Sequence, residues 1–495
     1  MAEDLDPSGR PVRTGGVVVL TPGLTGRVEV HRAGDRGMRG AERSTPDLDS
    51  ALAAAGMEPQ LTVELSGVAQ TRAPRGRPAR GAAAAEPGVE DELPGPGDGQ
   101  GQVLLSVDEA GTCRWHTSVA APATRERSTR GETRRTYQIP APVVAAPRGP
   151  AASRGLIGAV GSKLLKLVVF PLVDPVIGKV GKGFAARWEG HHRPYSLRTY
   201  DVADRRTNPG PSVDAARWRS IAEGPALLFV HGTFSRAASA FTGIDEETLT
   251  ELHRRYDGRV FALDHPTLSV DPADNVAWLH KALSDAGVHL SGPLDVVAHS
   301  RGGLVARALA ECGDDSVHVR SVVHVGVPNG GTTLADSKHV RDLLDTYTNL
   351  LTFFPDIGVT DVLEVVLSVV KEVAVAVHAG LPGLSAMDPH ADYLKKLNGA
   401  KTPSPATYHA VASDFEPTEP GLREWAKDTL LDHVFGGSGN DLVVPADGVW
   451  SGNGHPSFPI AGALRIPSSA GIWHSGYFSH PPVRAQLLDW LPGTP

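Results

Sequence analysis

Hydrophobic positions along this chain follow two regimes, and the change falls near residue 195. Upstream, short apolar bursts are separated by glycine, proline and charge: Val17-Val18-Val19-Leu20, Leu61-Thr62-Val63-Glu64-Leu65 and Val103-Leu104-Leu105-Ser106-Val107. The middle burst alternates with period two and all three predict strands, so residues 1–150 are expected to form a small β-rich module. Within it, 71–88 and 92–102 are so rich in Pro, Gly and Ala that loose loops are expected there rather than core. Downstream, four nearly continuous apolar runs occur at 226–230, 259–263, 294–298 and 321–325, with helically spaced segments such as 272–286 and 303–311 between them. Continuous apolar runs suit parallel strands buried on both faces, and parallel neighbours need crossover connections. The expected fold class is α/β: a doubly wound, mostly parallel sheet over about 195–495, with its site beyond the carboxyl ends of the strands.

Two further segments are apolar over most of a helical circumference. In 155–188, Ser162, Lys163 and Lys166 share a narrow polar side, while Leu156, Ile157, Val160, Leu164, Leu165, Leu167 and Val168 cover the remainder. Residues 151–194 are therefore expected to be an amphipathic connecting segment, with a helix that packs between the domains or rests on a membrane surface. In 361–378, Asp361, Glu364, Ser368, Lys371 and Glu372 form one stripe against Val and Leu elsewhere, and Leu350-Leu351-Thr352-Phe353-Phe354 precedes it. An insertion at about 334–400 is expected to be a helical cap, either packed on the core or acting as a lid over an acyl pocket.

The chemistry concentrates where a strand pattern meets a helix pattern. Leu294-Asp295-Val296-Val297-Ala298 runs into His299-Ser300-Arg301-Gly302-Gly303, and helical spacing resumes at Leu304, Val305, Ala308 and Leu309. A serine on such a turn is held out of both elements, and small residues must flank it because the backbone is strained and the helix packs close to the strand. Ala298 and Gly302 take those places, which makes Ser300 a candidate nucleophile at a strand–turn–helix elbow. A serine hydroxyl needs a base and an orienting acid to react at neutral pH.

Phe229-Val230-His231-Gly232-Thr233-Phe234, the elbow itself, Val327-Pro328-Asn329-Gly330-Gly331, Asn440-Asp441-Leu442-Val443-Val444-Pro445 and Trp473-His474 together resemble the lipase/esterase branch of the α/β-hydrolases over about 195–495. That resemblance implies a nucleophile, acid and base in the chain order Ser300, Asp441, His474. Asp447 is the alternative acid, and His480 and His455 are the alternative bases. It also implies an oxyanion site made by the backbone N–H of Arg301 and that of Thr233, with Phe234 as the fallback, while His231 buttresses the loop. The implied activity is cleavage of carboxylic esters, of lipid or other apolar acyl type, through an acyl-enzyme. A thioesterase or acyltransferase would use the same residues, and a catalytically silent scaffold that binds partners through its N-terminal module is the alternative from another class.

Composition narrows the picture only slightly. Lys and Arg number 48 against 56 Asp and Glu, a net charge of −8, so no global basic field points to nucleic acid. The run Arg125, Arg127, Arg130, Arg134, Arg135 reads as a solvated loop or as a site for an anionic partner. Two cysteines, Cys113 and Cys312, offer no disulfide framework and suit a reducing, cytoplasmic setting. No cofactor or metal is expected, since no paired ligand spacing or phosphate-loop pattern occurs.

Overall fold

The computed structural model describes residues 2–32, 46–70, 88–96, 100–108, 111–118, 134–140, 157–159, 163–171, 184–312, 316–336, 339–353, 363, 366–367, 369–371, 381–399, 404, 406–418, 423, 435, 439–451 and 460–494. The chain divides into two units, one comprising Met1–Gly181 with Val369–Val377 and Pro420–Asp428, the other Lys182–Ser368, His378–Glu419 and Thr429–Pro495.

The first unit is β-rich and its strand pairings are antiparallel. Strands β1 (Glu3–Asp4), β2 (Val12–Thr14), β3 (Val17–Leu20) and β4 (Leu24–Arg32) precede helix α1 (Pro46–Ala54). They are followed by β5 (Glu58–Gln70), β6 (Gly88–Pro94), β7 (Gln100–Val107), β8 (Cys113–His116), β9 (Arg134–Pro140), β10 (Ile157–Ala159) and β11 (Lys163–Pro171). One sheet has the order β1-β4-β5-β11-β7-β8 with β10 also on β5, and a four-stranded sheet has the order β2-β3-β6-β9. Val19, Val89 and Ile139 of the smaller sheet share one buried core with Val28, Val63, Leu104 and Leu165 of the larger.

Three expectations change here. Within 155–188, residues 157–159 and 163–171 are strands rather than an amphipathic helix: β11 lies between β5 and β7 in the middle of the sheet, with Leu164 to Phe170 buried. A run apolar on all sides fits a central strand buried on both faces as well as a helix, and the β-branched Val168-Val169 pair favours the strand. The charge within Leu164–Phe170, Lys166, donates to Asp49 on α1 at 2.9 Å, and the β-rich unit runs past residue 150. The stretch 92–102 is also not wholly loop, because Leu93 in β6 is fully buried and Gln102 in β7 donates to the Pro94 carbonyl at 2.7 Å. Of the arginine run, Arg134 and Arg135 lie in β9, where Arg134 donates to the Gly16 and Glu92 carbonyls; the other three, and 71–87, lie outside the described residues.

The second unit begins with helix α2 (Phe184–His192) and strand β12 (Ser196–Thr199), then α3 (Ala215–Ala222), β13 (Ala226–Val230), α4 (Ala237–Ala240), α5 (Glu246–Arg255), β14 (Val260–Asp264) and α6 (Pro272–Asp285). It continues with β15 (Leu294–His299), α7 (Gly302–Cys312), β16 (Val319–Val325), α8 (Val340–Phe353), β17 (Thr407–Ser413), β18 (Ile460–Ile466) and a closing helix, α9 (Pro481–Trp490). The sheet order is β12-β14-β13-β15-β16-β17-β18, parallel throughout except for β12.

Side-chain alternation explains why both faces are covered. In β13, Ala226, Leu228 and Val230 join a core with Ile221 of α3, Leu279 of α6 and Val305 of α7, while Leu227 and Phe229 join another with Leu249 of α5 and Leu487 of α9. Helices therefore flank a sheet that is apolar on both sides, the doubly wound arrangement, and Ser300 follows the carboxyl end of β15 at its centre. The unit therefore has the α/β fold class expected from the sequence. The sequence reading missed β12, β17 and β18, whose runs are short or broken by polar residues such as His409 and Arg465.

Candidate active site

The turn from β15 to α7 is strained where the site needs it. Ser300 has φ +52°, the left-handed region that side chains other than glycine avoid, and its N–H donates to the Val325 carbonyl at 2.9 Å. Glycine follows because the helix start lies against the neighbouring strand: a Cβ on Gly302 would sit 2.4 Å from the Val230 carbonyl oxygen. The loop after β13 approaches equally closely, since a Cβ on Gly232 would lie 2.5 Å from the Ser300 Cβ.

His474 receives the serine from one side and a carboxyl group from the other. Its Nε2 is 2.9 Å from the Ser300 Oγ, and its Nδ1 donates to the Asp441 Oδ2 at 2.8 Å. That donation leaves Nε2 as the acceptor for the serine proton. Asp441 also accepts from the Tyr477 hydroxyl at 2.8 Å and, through Oδ1, from the Val443 and Val444 N–H groups at 3.0 and 2.7 Å. Burial alone would raise its pKa, but the His474 imidazole beside it and these donors hold the carboxyl below its ordinary value. Gly326, at φ +57°, lets the chain pass beneath the pair, as a Cβ there would lie 2.8 Å from the Tyr477 ring and 3.2 Å from Asp441 Oδ2.

Ser300, Asp441 and His474 are thus brought together. The alternatives are not: Asp447 is exposed on the short helix Ala446–Trp450, His480 precedes α9, where its carbonyl accepts the Val483 N–H, and His455 lies outside the described residues.

Sequence reasoning missed Tyr477 and His299. His299 Nε2 donates to the His474 backbone carbonyl at 2.8 Å, and burial pushes its pKa down to about 3, so it stays a neutral donor. Neither residue carries a local signal, because each works through a contact made only after folding.

The two proposed oxyanion donors differ from their fallback. Neither the Thr233 nor the Arg301 N–H has an acceptor among the described residues, whereas the Phe234 N–H, at φ +61°, donates to Thr267 Oγ1 at 3.4 Å. The loop itself is pinned by its neighbours. His231 donates from Nδ1 to the Gly232 carbonyl at 3.0 Å and accepts the His265 N–H on Nε2 at 3.2 Å, and burial lowers its pKa to about 4. The Ser235 hydroxyl donates to the same Gly232 carbonyl at 3.0 Å. The Arg301 side chain points away into the fold, donating from Nε to the Gly383 carbonyl at 2.9 Å and from Nη2 to Asn275 Oδ1 at 3.1 Å; burial lowers its pKa to about 10.

Helix α8, between β16 and β17, borders the site. It is buried on nearly every side, and its inward polar groups return hydrogen bonds to their own helix, Thr346 to the Asp342 carbonyl, Thr348 to that of Leu344 and Asn349 to that of Asp345. Tyr347 meets Phe234 edge-on at 4.8 Å and His474 at 6.5 Å between ring centroids. Within 361–378, Leu363, Val366, Leu367, Val369 and Val370 are helical and buried, and most of the remaining positions lie outside the described residues. Among the described residues no cluster of His, Cys, Asp or Glu could hold a metal ion, and no helix is long and apolar enough to cross a membrane.

Similar solved structures include the mature form of a Bacillus licheniformis lipase, BlEst2, at 18% identity, covering 54% of this chain and 92% of that one with a TM-score of 0.34. Lipase 1 from Pelosinus fermentans is 14% identical over 52% of this chain and 94% of its own, and Aspergillus fumigatus lipase B is 15% identical over 55% and 54%; both have TM-scores of 0.34. No curated protein matches the sequence. A family model does match, over residues 192–492, and the chain belongs to that family, described as a domain of unknown function (DUF7379).

Proposed function

We propose that this protein is a serine hydrolase that cleaves carboxylic esters of apolar acyl groups through an acyl-enzyme. The observation that carries the reading is the Ser300 Oγ at 2.9 Å from His474 Nε2, on a residue whose positive φ exposes the hydroxyl to that base. In the proposed reaction the Ser300 oxygen attacks the ester carbonyl carbon while its proton passes to His474 Nε2. The oxyanion that forms accepts the N–H groups of Thr233 and Arg301, and Asp441 stabilises the imidazolium. His474 then gives the proton to the departing alkoxide, leaving an acyl-serine, and water repeats the sequence to release the acid. Thr233 is preferred to Phe234 because the Phe234 N–H is already engaged.

An apolar acyl group is supported by the side chains nearby: Tyr347 packs edge-on against Phe234 and faces the His474 ring at 6.5 Å, and the Thr233 hydroxyl rests on the Met387 sulfur at 3.6 Å. Ser300 is 2% and His474 1% exposed, so α8 is proposed as a cap that must move for substrate to enter. The cysteine usage, Cys113 and Cys312 alone, fits the reducing setting of a cytoplasmic enzyme.

The test is a series of p-nitrophenyl esters of rising acyl length, with fluorophosphonate labelling of the full chain and of Ser300→Ala. Ser300→Ala should lose both the label and about 10⁶-fold in kcat. Hydrolysis by Ser300→Ala at the wild-type rate would sink the assignment.

A further inference from the structure

A buried carboxyl group outside the 192–492 family match gathers donors from the loop after β14. Glu189, on α2, is 1% exposed. Its Oε1 accepts the Thr267 N–H at 2.6 Å and the Leu268 N–H at 3.0 Å, and its Oε2 accepts the Ser269 N–H at 2.9 Å and the Ser269 hydroxyl at 2.6 Å. Three successive backbone donors of the loop after β14 therefore converge on one carboxyl group, which fixes that loop from both oxygens. The Thr267 hydroxyl also donates to Glu189 Oε1, at 3.4 Å, and it is this hydroxyl that accepts the Phe234 N–H. The end of the same helix makes a second attachment, since the Arg236 guanidinium donates to the His192 carbonyl.

We infer that Glu189 is a positioning residue for the oxyanion site, acting through the Thr267 hydroxyl on the Phe234 peptide. This rests on the assignment of Ser300 as the nucleophile. Phe234 sits at φ +61°, a conformation that costs a bulky residue energy and persists only where its surroundings hold it. Its N–H bond to Thr267 anchors the peptide that joins it to Thr233, and the Thr233 N–H, on the preceding peptide, is then restrained through the Thr233 backbone torsions. Without Glu189 the loop at 267–269 keeps three backbone donors but loses their common acceptor. Thr267 then drifts, Phe234 relaxes, and the Thr233 N–H turns from the position of the developing oxyanion. The loss falls on the transition state more than on substrate binding, because the charge it serves appears only there.

Glu189→Gln retains the shape but sets an amide N–H against a backbone N–H donor. In the full chain, with active serines counted by fluorophosphonate titration, it should lower kcat per titrated site about 10- to 100-fold with KM within about threefold. The inhibition constant of a trifluoromethyl ketone, which binds as an oxyanion, should rise in parallel. A merely structural role would reduce the titrated fraction and leave kcat per site unchanged, and that result overturns the inference. Thr267→Val should cost about tenfold per site while Thr267→Ser, which keeps the hydroxyl, stays near wild type. Should Glu189→Gln fail to fold, this pair decides: equal turnover by Thr267→Val overturns the inference. A wild-type protein that neither hydrolyses esters nor takes the label overturns the nucleophile assignment and this inference with it, whereas normal labelling with unchanged Glu189→Gln turnover overturns this inference alone.

Discussion

Asp441 in the α/β unit and Asp91 in the β-rich unit are both removed from water, and their surroundings treat them in opposite ways. Asp441 accepts from His474, Tyr477, Val443 and Val444, and its pKa stays below the ordinary carboxylate value. Asp91 lies on β6 across from Val19 and Tyr137, two residues of the apolar core, and neither of its oxygens has a partner among the described residues. Burial pushes its pKa up to about 7. Donors arranged around a buried carboxyl group thus favour its charged form, and burial without donors favours the protonated one. Only the first kind can stabilise an imidazolium.

Replacing each carboxyl group tests the comparison, and the largest effect is expected at the site. Asp441→Asn keeps the shape but removes the charge that orients His474, and kcat toward a p-nitrophenyl ester should fall about 10⁴-fold. A loss smaller than about tenfold would mean that another carboxylate serves His474.

The next effect is on stability. The raised pKa means that folded Asp91 holds its proton where the unfolded chain has released it. The stability this confers is present below about pH 4 and is lost as pH rises to about 7, by up to roughly 4 kcal/mol. Asp91→Val suits a strand position and should unfold at higher denaturant concentration than wild type at pH 8, with a flatter dependence between pH 4 and 7. A wild-type unfolding midpoint that does not fall across that interval, measured by urea denaturation of the full chain, would show that Asp91 is charged and paired.

The smallest effect concerns a single donor. Tyr477→Phe removes one of the bonds that keep Asp441 ionised, so its pKa should rise and kcat at neutral pH should fall about tenfold. Unchanged turnover would assign the orientation of Asp441 to the Val443 and Val444 N–H groups alone.

The same contrast between local and long-range causes separates what could be read along the chain from what could not. Ala226–Val230 and Leu294–His299 are legible as buried strands because their composition is dictated by apolar surroundings on both faces. Lys163–Pro171 has the same character and was misread, since an apolar run does not itself distinguish a central strand from a helix. Ser300 is legible because the strain of its turn imposes small neighbours within two residues on either side. Glu189, His299 and Tyr477 leave no such mark: Glu189 reaches Thr267 across 78 residues of chain, and His299 reaches His474 across 175.

The sequence by itself determined the α/β class of the second unit and the strand–turn–helix that presents Ser300, because both follow from local periodicity and local strain. Tertiary structure alone decided which carboxyl group and which histidine meet that serine. It also decided that an apolar connector becomes the central strand of a sheet, and that the pKa of one buried aspartate is lowered while that of another is raised. Those outcomes depend on which donors converge in space, and neighbours in space are set by the packing of distant segments.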